Sequence, residues 1–225
     1  MFTLDAGVEA AKPGPVPPHR SCVEGEAPEG GPKLSYTITF VSDYRISGVS
    51  ASGKAAALQG SIDVEHASWS GGVWASNIEE FGGSNAEIDV YAARSFDIGD
   101  TQASLGATLI YLPGGENITI GLAEAGLARA IGPFDMSLDL RYAWPQSDIG
   151  DDDDIYVELS GASPIGRFAG APLTLSASFG YDDGAFVTEG VKLDWSLSMT
   201  AEVAGLELGL SYVDTNLRNE NGDAG

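Results

Sequence analysis

Residues 134–144 read FDMSLDLRYAW, two patterns interleaved at a period of two. Phe134, Met136, Leu138, Leu140, Tyr142 and Trp144 are apolar or aromatic; between them lie Asp135, Ser137, Asp139, Arg141 and Ala143. Such alternation marks a β-strand with one greasy face and one wet face, because successive side chains point to opposite sides. From Phe134 to Trp144 the strand rises about 33 Å. A tilt of about 40° reduces this to roughly 25 Å, the height of the lipid-facing band of a membrane barrel. The fold turns on one question: does the greasy face look into a protein core or out into lipid?

The same period runs along the chain from residue 34. LSYTITFVSDY sets Leu34, Tyr36, Ile38 and Phe40 against Ser35, Thr37, Thr39 and Asp43. LQGSIDVEH sets Leu58, Ile62 and Val64 against Gln59, Ser61, Asp63 and Glu65, and AEIDVYA sets Ile88 and Val90 against Glu87, Asp89 and Tyr91. LTLSASFGYD, VKLDWSLSMT and GLELGLSYV repeat the pattern, and weaker strands fit at 69–78, 101–112 and 153–163. The segment 117–130 alternates as far as Leu122 and loses phase near Glu124, where a bulge is expected. The count is eleven strands and no helix. Longer, acidic, Gly-rich connections mostly fall at one end and tight turns at the other, with 163–171 the exception. That asymmetry is typical of up-and-down outer-membrane barrels.

Composition narrows the function classes. The chain has 225 residues, 33 of them acidic and 11 basic, for a net charge of -22, the wrong sign for a nucleic-acid partner. No apolar run approaches the 18 residues or so of a transmembrane helix. Cys22 is the single cysteine, so no disulfide within the chain is possible. Residues 1–33 hold six prolines and read as a disordered segment. Of the two histidines, His19 lies in that segment and His66 near a strand end, and no GxSxG elbow is present. An enzyme is not expected, nor a cofactor. Asp151, Asp152, Asp153 and Asp154 form an oxygen-rich run that offers a weak Ca²⁺ candidate, but it lacks EF-hand spacing and reads better as a solvated loop.

A soluble exported β-sandwich that binds a ligand would also alternate. Three features favour lipid instead: a polar face rich in Ser, Thr and Gly; few lysines to protect sheet edges; and aromatics at the ends of the apolar faces. The expectation is therefore an antiparallel up-and-down transmembrane barrel over 34–217. Phe134, Tyr142, Trp144, Phe179, Tyr181, Trp195 and Tyr212 would form its lipid-facing girdle. Asp43, Asp63, Glu65, Glu87, Asp89, Asp135, Asp139, Glu158, Asp194 and Glu207 would line the pore, with Arg141 and Lys192 as the only cations among them. Fixed charge of one sign in a confined passage concentrates counter-ions. Small hydrophilic solutes or cations are thus the expected cargo. A non-conducting structural or adhesive barrel is the alternative.

The stretch 39–81, TFVSDYRISGVSASGKAAALQGSIDVEHASWSGGVWASNIEEF, resembles the opening of the TorF family of porins, also called the Gcw_chp group; NAEIDVYA and GLSYVDTNL are similar to it too. VSDYRISGVS is the most specific block. The resemblance implies a porin-type barrel in the outer membrane of a Gram-negative bacterium, a cleavable signal peptide that this chain does not show, and a last strand ending in an aromatic residue. Bacterial barrels have even strand numbers. Residues 218–225 would then be a loop remnant before a missing twelfth strand that pairs with 34–44; otherwise 34–44 and 205–213 would approach and close a smaller barrel. The oligomeric state is not readable.

Overall fold

The computed structural model describes residues 2–6, 31–187 and 190–217. In chain order the strands are β1 Phe2–Ala6, β2 Lys33–Val41, β3 Arg45–Ile46, β4 Val49–Ser50, β5 Ala57–His66, β6 Trp69–Phe81 and β7 Ser84–Ile98. They continue with β8 Thr101–Leu112, β9 Ile118–Ile131, β10 Phe134–Ala143, β11 Asp154–Phe168, β12 Ala171–Gly184, β13 Lys192–Val203 and β14 Leu206–Thr215. The only helical piece among the described residues is a 3₁₀ turn, Ser147–Ile149. Among the described residues no helix is long and apolar enough to cross a membrane.

β2 and β5 to β14 make one antiparallel sheet of eleven strands, each paired with its neighbour in sequence. The two edge strands, β2 and β14, do not pair with each other, so this sheet is not closed on itself. Phe2–Ala6 lies between them, its backbone parallel to both, with Leu4 opposite Phe40 on one side and Leu208 on the other. Sequence placed these five residues in a disordered segment, and here they form a strand. Residues 7–30 and 218–225 lie outside the described part.

Period two sorts the side chains onto two faces, as the quoted stretch implies. Leu138 and Leu197 on the outer face are 44 % and 51 % exposed, while Asp89 and Asp194 on the other are each 1 % exposed. No second large sheet is stacked on the apolar face among the described residues. The polar face is concave. A Cβ built on Gly48, in the connection from β2 to β5, would meet Cβ of Thr215 at 2.7 Å and Cβ of Asp194 at 3.1 Å, both near the opposite edge.

Two-residue turns join β5–β6, β7–β8, β9–β10, β11–β12 and β13–β14 at one end. The apparent exception at 163–171 disappears, because β11 and β12 continue through it around a register shift between Pro164 and Gly166 and turn at Ala169–Gly170. At the other end the connections are longer, except for the tight Gly82–Gly83 turn in what reads as a loop, IEEFGGSN. The bulge expected near Glu124 is absent: β9 pairs without a break with β8 and β10, Gly106 and Arg141 flanking Glu124. The alternation breaks in sequence because Ile118, Ile120 and Leu122 are apolar residues on the inner face, buried at 8, 9 and 6 % exposure.

Candidate functional site

The inner face divides into two zones. Towards the turn end it carries small hydroxyls. Ser137 and Ser160 lie 2.8 Å apart across β10 and β11, Ser178 and Ser196 2.8 Å apart across β12 and β13, and Ser211 donates to Ser198 at 2.5 Å. These neutral bridges satisfy the hydroxyls while adding little bulk.

The loop end is crossed by a hairpin. Ser47 and Gly48 both have positive φ, 47° and 84°, and join β3 to β4 in a two-residue turn of the primed type that suits a right-twisted hairpin. The hairpin folds inward. Asp43 holds it, accepting from Arg45 Nε at 2.7 Å and from Ser50 Oγ at 2.5 Å, while Arg45 Nη1 donates to the Gly48 carbonyl at 2.8 Å. Tyr44 is fully buried, its ring 5.5 Å from that of Trp74, and its hydroxyl donates to Glu87 Oε2 at 3.3 Å. Burial pushes the Tyr44 phenol well above its ordinary pKa of 10.0, and the Glu87 and Asp89 carboxylates push it the same way, so it stays a donor. Gly48 is required here. Its φ is costly for other residues, and a side chain would strike β14.

Beneath the hairpin, charged groups cross-link the strands. Lys192 pairs with Asp182 on the neighbouring strand. The Arg141 guanidinium lies over the Tyr156 ring, 4.2 Å from its centroid. Tyr156 Oη lies 3.0 Å from Glu158 and 3.1 Å from Asp194, in space left by Gly180, where a Cβ would sit 2.4 Å from that oxygen. Thr108 donates to Glu124 at 2.9 Å, and Tyr91 donates to Asp63.

The residues predicted to line the pore thus have different fates. Asp63, Glu87, Asp89, Asp139, Arg141, Glu158, Lys192 and Asp194 are on the inner face, buried or half-buried. Glu207 is half-buried on that face beside the turn end, directly opposite Glu202. Glu65 and Asp135 have the inward phase but stand exposed at the rim. Asp43 belongs to no wall, because it is consumed in tying down the hairpin. Sequence reasoning did not place Tyr44, Glu124, Asp154, Tyr156 or Asp182 among the pore-lining residues. Parity was the available signal for three of them, since Asp154 and Tyr156 share the phase of Glu158, and Asp182 that of Ser178.

The candidate Ca²⁺ run is dispersed. Asp154 turns inward and accepts from Phe186 N at 3.0 Å, Asp153 accepts from the Tyr142 hydroxyl at 3.1 Å, and Asp152 accepts from Asp153 N at 3.0 Å. No group of three or more His, Cys, Asp or Glu among the described residues is placed to hold a metal.

On the outer face the predicted girdle residues Phe134, Tyr142, Trp144, Phe179, Tyr181 and Tyr212 are exposed, and Trp195 is half-exposed. Tyr111, Tyr142, Tyr181 and Tyr212 form a band near the loop end. Their hydroxyls donate to Asn117 at 3.1 Å, Asp153 at 3.1 Å, Asp183 at 3.2 Å and Asp214 at 2.8 Å. Near the turn end lie Trp69, Phe96, Phe134 and Phe168, all exposed, with Arg94, 5.7 Å from the Trp69 ring centroid, and Arg129 and Arg167.

These features define an all-β protein built on a large antiparallel sheet, with an aromatic-banded apolar exterior and an acidic concave face crossed by an inward hairpin. The chain belongs to the Gcw_chp family, described as a bacterial protein of unknown function, whose model matches residues 25–223. That match carries the family but neither the TorF name nor the porin label. Comparisons with curated proteins and with solved structures gave no match.

Proposed function

We propose that this chain is a bacterial outer-membrane β-barrel that passes small hydrophilic solutes or ions, with a preference for cations. The reading is carried by one contrast: within single strands, bulky apolar side chains face outward and carboxylates are held inside. In water that arrangement exposes too much greasy surface, whereas in lipid it is the expected one. The two aromatic bands support it, with phenol tips near one interface and arginines near the other. Short turns with arginines suit the periplasmic leaflet, and the acidic loops suit the outside. The proposal includes closure. An unpaired edge in hydrocarbon costs several kcal/mol per unsatisfied group, and Phe2–Ala6 lies where a twelfth strand is needed.

Reversal potentials in a salt gradient across a planar bilayer test transport. Cation preference is expected, and anion preference overturns it. A second reading, a barrel that conducts nothing, is favoured by the hairpin that reaches from β2 to β14 across the loop mouth; absence of any current supports that one. Leu138→Arg tests the membrane itself, with a loss of about 2–4 kcal/mol expected if the site faces mid-bilayer. An unchanged folding midpoint in lipid places Leu138 outside hydrocarbon.

A further inference from the structure

Between the hairpin and strands β6 to β13 lies a cavity of about 450 Å³, within the size range of small-molecule sites. Its wall is split by chemistry. Ile110, Leu112, Ile120 and Leu122 make one side, a dry aliphatic surface unusual for the inside of a polar barrel. To one flank, on β10 to β13, stand Asp154 and Asp182 with Arg141 and Lys192; to the other, on β7, stands Glu87, which accepts from Tyr44. The two cations are engaged locally, Lys192 with Asp182 Oδ2 and Arg141 over Tyr156. Counting Glu79 and Glu80 in the lining, five carboxylates meet two cations. Asp182 is only 3 % exposed and shares a side-chain hydrogen bond with Asp154; apart from that neighbouring carboxyl, its buried Oδ1 has no donor.

We propose that this cavity is a binding site for an organic cation, a protonated amine carried on an apolar body. The body lies on the aliphatic wall, and the ammonium donates to the Asp182 and Asp154 side. Hydrocarbon on one side and surplus negative charge on the other favour neither a carboxylate nor a small hydrated cation. The site does not require the barrel to conduct.

Calorimetric titration with 4-phenylbutylammonium tests this, run on the folded chain in nanodiscs if it inserts and in buffer if it stays soluble, against protein-free blanks. Saturable one-to-one binding is expected, at least tenfold tighter than for 4-phenylbutanoate, which has the same body with the opposite charge, and for ethylammonium, which lacks the body. Asp154→Asn and, independently, Ile120→Ser each weaken binding at least fivefold. Should Asp154→Asn not fold, Glu79→Gln at the exposed mouth weakens it about twofold. Equal affinity for amine and carboxylate overturns the proposal, as does binding no greater than the blank or an Ile120→Ser variant that binds as the parent does. A barrel without current still returns the tenfold difference, so failure of the transport reading and failure of this one are separate results.

Discussion

The loop half and the turn half of the interior are built from the same strands and the same period, yet they are opposite in design. From mid-strand towards the turns, Ser137, Ser160, Ser178, Ser196, Ser198 and Ser211 bond to one another in pairs and add little bulk. Towards the loops, Tyr44, Trp74, Leu112, Ile120 and Leu122 pack as a core would, and charged pairs lock adjacent strands. Side-chain size, not polarity alone, separates the two, and the loop half keeps its cavity between the hairpin and the strands. On the proposed membrane reading the outer face needs no such division.

The comparison implies that stability resides mainly in the loop half, which on the proposed pore reading also holds the narrowest passage. Tyr44→Ala is its severest test. Removing a fully buried ring should cost about 3–5 kcal/mol, by analogy with other aromatic truncations, and should widen the mouth. Denaturant unfolding and single-channel conductance read the two effects, and a stability change below 1 kcal/mol would mean that the hairpin is not packed as described. Gly48→Ala comes next. The positive φ and the approach to Thr215 should cost about 1–3 kcal/mol and loosen the hairpin, read as faster proteolysis within 45–50. An unchanged cleavage rate argues that the hairpin does not reach β14. Smallest is Ser178→Val, which loses one neutral hydrogen bond worth about 1 kcal/mol but should lower any conductance by narrowing the turn half. If it costs as much as Tyr44→Ala, the division between halves fails.

Much of the sheet was legible in the chain. Parity assigned Leu138 and Asp139, or Leu193 and Asp194, to opposite faces, and the turn residues marked most hairpins. The errors share one cause. Near Glu124 a change in which face carried apolar residues imitated a change of register. RISGVS reads in sequence only as part of a connection; the structure turns it into a hairpin at Ser47–Gly48, and nothing local says whether such a segment points out to water or back under the strands. Asp43 was assigned to a wall for the same reason.

Period-two alternation is local, so the chain by itself determined the eleven strands, their two faces and the acidic character of one of them. What the tertiary structure decided is whatever depends on meeting across the concave face: Gly48 against Thr215, Tyr44 against Glu87, the aliphatic wall beside Asp154 and Asp182, and Phe2–Ala6 between β2 and β14. Those partners are far apart in sequence. Each is placed by the curvature of the whole sheet, which no single strand encodes.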